Sequence, residues 1–131
     1  MEIENRIWRY WMDYSALKPN MIVNVLGTNY GIYLDVSEED DGTLKECAGY
    51  CDKTTKRICV GRAVDTNLGE YSEYRKYVIR HELVHAFLFE SGIGGDTVWD
   101  IDGQEHPEHM VEWVAMQFPK LLKAFQEAGV L

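Results

Sequence analysis

With 131 residues, a net charge of −9 and a sequence pI near 4.8, the chain has room for one domain around one core. Its acidity disfavours phosphate backbones and anionic lipid, which argues against nucleic acid and membrane surfaces as partners. At 46% hydrophobic and 12% aromatic it is too apolar for a disordered tail.

Residues 3–15 read as an amphipathic helix, with Ile3, Ile7 and Trp11 spaced by four, and Pro19 and Asn20 end it. Residues 21–26 are β-branched and apolar. Tyr30, Ile32 and Leu34 then alternate with Gly31, Tyr33 and Asp35, and Gly27, Thr28 and Asn29 between the two runs supply a turn, which predicts a hairpin. The acidic run 37–42 reads as a solvated turn. A second hairpin is expected from 47–51 and 57–60. The odd set Cys47, Cys51 and Cys59 favours reduced thiols over a disulfide framework, and no second Cys/His pair stands at zinc-finger spacing. Residues 1–6 lead into no apolar run of signal type, and nothing approaches the roughly 20 apolar residues of a membrane span. A cytoplasmic protein is therefore expected.

After breakers at Asn67 and Gly69, the strongest predicted helix covers residues 72–90, with Gly92 as its C-terminal cap. Residues 92–106 carry glycines and acids without periodicity and read as a loop. Pro107 suits the first position of a final helix whose apolar face is Met110, Val111, Val114, Phe118, Leu121, Leu122 and Phe125; Pro119 should kink or interrupt it. No repeat or linker divides the chain, so residues 1–131 form one domain.

Chemistry concentrates in the first of these helices. In His81-Glu82-Leu83-Val84-His85 two histidines stand four apart, so both imidazoles lie on one helical face and can reach one ion. Zinc suits such a pair, because neutral imidazole is a good ligand and the ion tolerates an open coordination position. Glu82, beside the first ligand, is positioned to take a proton from a water attacking a carbonyl and to pass it to the leaving amine. Catalytic zinc usually has a third protein ligand. Downstream candidates are Asp100, Asp102, Glu105, His106, Glu108, His109 and Glu112, whereas Ser91 excludes a third histidine six residues past His85.

The segment Pro107-Glu108-His109-Met110-Val111-Glu112 resembles the gluzincins, zincins whose third ligand is a glutamate on the helix after the active-site helix. Their pattern is Asn-Glu-x-x-x-Asp, so the resemblance implies Glu108 as ligand and Glu112 as the acid that holds a metal-binding histidine; Pro107 replaces the Asn and Glu112 the Asp. The stretch after His81-Glu82 and Val111-Glu112-Trp113-Val114-Ala115 are most similar to small metallopeptidase proteins encoded by phages and prophages, a resemblance over about residues 20–128. Four-residue spacing also lets one helical face present both carboxylates.

The resemblance implies an α+β, minimal zincin-like fold: an N-terminal helix, a small mostly antiparallel sheet, the active-site helix and a closing helix. It implies a metallopeptidase that uses Zn2+, held by His81, His85 and Glu108, with Glu82 as general base and a peptide or protein as substrate. Tyr50, Tyr71, Tyr74, His106 and His109 stay open for stabilising the oxyanion. The alternative is a non-catalytic protein-binding module on the same scaffold, with structural zinc or none.

Overall fold

A computed structural model describes residues 12–65, 68–92 and 107–131. Its architecture is α+β: one four-stranded, mostly antiparallel sheet and two long helices. The strands are β1 (Met21–Val25), β2 (Thr28–Val36), β3 (Gly49–Asp52) and β4 (Arg57–Gly61), and the helices are α1 (Tyr71–Glu90) and α2 (Glu108–Glu127). The sheet order is β1-β2-β4-β3, in which β2 and β4 run parallel and the outer pairs antiparallel. Among the described residues, no helix is long and apolar enough to cross a membrane.

Both hairpins form where the sequence predicts them, but the first turn is tighter. Leu26 (φ 50°) and Gly27 (φ 94°) make the turn, and Thr28 and Asn29 already belong to β2. Two consecutive positive φ angles match the right-handed twist of the strands. Asn24 fixes the turn through its side chain, accepting from Gly27 N–H and donating to Asn29 Oδ1.

Strand alternation sorts the residues onto two faces. Val25, Tyr30, Ile32, Ile58 and Val60, each with no exposed surface, face α1 and pack with its Val78 and Ala86. Burial of each such side chain stabilises the fold by roughly 1.5–3 kcal/mol. The opposite face carries Tyr14, Val36, Leu44 and Cys59 in a second cluster. Val36 joins it because the ladder shifts between Tyr33 and Val36 at Asp35, whose φ is 56°, so the alternation changes sign there.

The predicted helix over 3–15 lies largely outside the described residues, and its end is corrected. Asp13 is non-helical and caps a separate single turn, Tyr14–Ala16, by accepting from Ser15 N–H. The acidic run 37–42 is corrected as well. Asp41 is only 1% exposed and accepts hydrogen bonds from Tyr14 Oη (2.6 Å), Tyr50 Oη (2.5 Å) and Thr43 N–H. A buried carboxylate is tolerated where donors replace water, and here three do. Burial and these bonds hold both phenols protonated, well above their ordinary range.

Helix α1 ends as expected: Gly92 has φ 84° and donates to the Phe89 carbonyl, while Ser91 N–H donates to Phe87. Helix α2 departs from expectation twice. Pro107 is the residue before the first turn rather than within it, and α2 continues through Pro119 without interruption. A proline cannot donate to the carbonyl four residues earlier, which is Ala115 O, and Arg80 Nε of α1 supplies that bond instead at 2.5 Å. Pro119 itself is exposed. The lost intrahelical bond is thus replaced by a bond between helices. Val111 and Ala115, both fully buried, complete the α1–α2 seam.

Candidate metal centre

The seam brings the two histidines of α1 against the first turn of α2. His81 Nε2 lies 3.0 Å from Glu108 Oε2, and His85 Nε2 lies 2.9 Å from Glu108 Oε1. One carboxylate therefore spans both imidazoles, whose ring centroids are 5.1 Å apart. The side chains of His81 and His85 are 14% and 12% exposed and that of Glu108 is 44% exposed, so Glu108 is the member of the cluster most open to solvent. Among the described residues, His81, His85 and Glu108 are the group whose donor atoms all lie within 4.8 Å of one another.

This donor set fits zinc. The fit is one of donor chemistry: two imidazole nitrogens and a carboxylate are ligands that zinc accepts, and their donor atoms lie within 4.8 Å of one another.

Glu82 follows His81 directly in the chain and is buried. It is 7% exposed, and its Oε1 lies 4.0 Å from His81 Nε2. Burial first, and the charge of Glu108 second, push its carboxyl up to about 7; a dication bound beside it would act in the opposite sense. Its charge in turn helps to raise the thiols of Cys47 and Cys51, to about 11 and about 12, although burial is the larger cause for both. Cys51 belongs to β3, an edge strand that packs against α1.

The remaining expected residues distribute as follows. Glu112 is exposed one turn beyond Glu108, and its charge contributes to raising the Tyr77 phenol, after burial. His109 is exposed on α2. Asp100, Asp102, Glu105 and His106 lie outside the described residues. Tyr50 points to the far face of the sheet and is bound to Asp41. Tyr71 donates to the Gly61 carbonyl near the start of α1. Tyr74 packs on Tyr77 at 5.9 Å. Among the described residues, the tyrosine ring in contact with His81 is that of Tyr77, which meets it edge-on at 6.0 Å. Sequence reasoning passed over Tyr77, although it stands four residues before His81 and so shares its helical face. On the other side of the pair, Phe89 stacks on His85 at 6.3 Å, and Lys53 Nζ lies 5.1 Å over Phe89.

No protein-family model, characterised protein or solved structure matches the chain.

Proposed function

We propose that the protein is a zinc-dependent metallopeptidase that cleaves a peptide bond of a peptide or protein substrate. The observation that carries this reading is the convergence of both histidine Nε2 atoms on Glu108, with a buried Glu82 adjoining them. The resemblance of residues 81–85 and 108–112 to the gluzincins supports it. His81, His85 and Glu108 would hold the ion, whose contribution when bound is to acidify water and polarise the substrate carbonyl. Glu82 takes one proton from the water as its oxygen bonds to the carbonyl carbon. The same carboxyl returns that proton to the leaving nitrogen as the C–N bond breaks. Tyr77, whose burial keeps its phenol protonated, would donate a hydrogen bond to the oxygen that gains charge. Because β3 is an edge strand packed against α1, an extended substrate would add to the sheet there. Three free cysteines support a reducing, cytoplasmic setting.

The test is Glu82→Gln in protein purified without a metal-binding tag and assayed on a peptide library. The variant keeps the shape and the neighbouring histidines but cannot accept the proton. It should bind zinc like the parent and lose at least about 10²–10⁴-fold in hydrolysis. Equal zinc-dependent cleavage by parent and variant would refute the mechanism. A second reading, a non-catalytic binding module, is favoured by the exposed Trp113, Met116 and Phe125 of α2. It requires the zinc-loaded parent to cleave no library member.

A further inference from the structure

The two edges of the sheet are built differently. β3 has four residues, ends in Asp52 and is followed by Lys53, Lys56 and Arg57; short length and charge are ordinary protections of an edge. β1, the other edge, has five residues and carries no charge. No Asp, Glu, Lys, Arg or His occurs from residue 19 to 34, in a chain with 13 basic and 22 acidic residues. Met21, Ile22 and Leu26 are 40%, 64% and 60% exposed, and Leu17 beside them is 43% exposed.

The register identifies which backbone groups face outward. Ile22 is opposite Gly31, and Gly31 N–H donates away from β1, to the Lys56 carbonyl. In an antiparallel ladder, residues bonded to the partner strand alternate with residues turned from it. Ile22, and by alternation Asn24, therefore direct N–H and C=O away from β2. Among the described residues, no strand pairs with them.

We propose that this edge pairs with the same edge of a second copy, antiparallel about a two-fold axis at Val23. In that register Ile22 faces Asn24 of the second copy, and the outward N–H and C=O of both residues are bonded in both chains. The two four-stranded sheets then form one of eight strands. Charge selects a second copy as the occupant. At −9 net, two copies repel over most of their surfaces, and residues 19–34 let them meet without opposing like charges. A charged partner finds no counter-charge on this strand. Antiparallel pairing of one edge with itself is also the self-complementary contact that a two-fold dimer requires. The contact lies at the opposite edge from β3, so it is independent of the metal-centre reading.

Sedimentation velocity from about 1 µM to about 1 mM follows the association by mass action, with amide exchange read at both ends of that range. The full chain should dimerise with concentration, more tightly as salt screens the net charge, and the Ile22 and Asn24 amides should be slowed only in the dimer. Ile22→Lys should raise the dissociation constant by about tenfold or more, although it makes the chain less negative; Ile22 is 64% exposed, so circular dichroism should be unchanged. Trp113→Glu with Phe125→Glu, on the exposed side of α2, should leave the dissociation constant near that of the parent. A chain monomeric throughout overturns the proposal. So does a dimer weakened by the α2 changes and not by Ile22→Lys, or protection of the Ile22 and Asn24 amides in the monomer, which would mean that the chain covers this edge itself.

Discussion

A carboxylate that touches both imidazoles and one that stands a turn further along the helix should respond very differently to amidation. Glu108→Gln removes the only described carboxylate within bonding range of both Nε2 atoms and should weaken zinc by more than about 100-fold. Glu112→Gln should cost no more than the roughly 10- to 100-fold typical of outer-shell partners. Competition against a chromophoric chelator measures both, and a stronger effect from Glu112→Gln would reverse the two roles. The sequence could carry His81, Glu82 and His85 because their geometry is internal to one helix, where spacing alone fixes the face. It could not choose Glu108 over His106, His109 or Glu112 without the resemblance. That choice depends on how α2 docks, and the segment joining it to α1 has no periodicity from which to read a path. Tyr77 escaped for another reason: an aromatic residue in an apolar helix reads as core, and only the rings of its neighbours reveal its place beside His81.

At the scale of the element, two contacts hold the helices where the centre needs them. Glu90, in the last turn of α1, lies where the helix dipole disfavours a negative charge. Lys56 Nζ at 2.8 Å, Tyr30 Oη at 2.6 Å and Thr28 Oγ1 at 3.0 Å offset this and lower its carboxyl from 4.5 to about 2. A folded-state pKa below the unfolded one means that the stabilisation is complete above pH 4.5 and fades as pH falls toward 2. Glu90→Gln should therefore be less stable than the parent at neutral pH, by a margin that narrows across that window in urea titrations. The second contact is the bond from Arg80 to Ala115 O, which compensates Pro119. Arg80→Met should cost about 1–3 kcal/mol in the parent by leaving that carbonyl unpaired. It should cost clearly less in Pro119→Ala, where the helix makes the bond itself; equal costs in the two backgrounds would remove the compensation argument. Strand positions were legible because period-two alternation marks them. Their order was not, because β2 alternates in the same way whether it pairs with β4 or with nothing. Asp41 was misread because a lone acid in an acidic run carries no local sign of the two tyrosines, one on β3 and one before β1, that bury it.

Over the whole molecule, the centre ties the start of α2 to the middle of α1, so an ion held there should act as a cross-link. At 1,000 times its dissociation constant, zinc should add about 4 kcal/mol to the stability of the fold. Thermal unfolding should reveal it as a higher midpoint that a chelator reverses and that His85→Ala does not show. An absent shift in the parent would count against the site. The bridging position of Glu108 has a further consequence. One of the three candidate donors lies on α2 and the other two on α1, so an ion held by all three would couple its own binding to the packing of the helices. Coupling of that kind is reciprocal: whatever zinc contributes to holding the helices together, a change that loosens them must take from zinc. Arg80, with its bond on Ala115 and no part in the donor set, should therefore help to set how tightly the proposed centre would hold zinc.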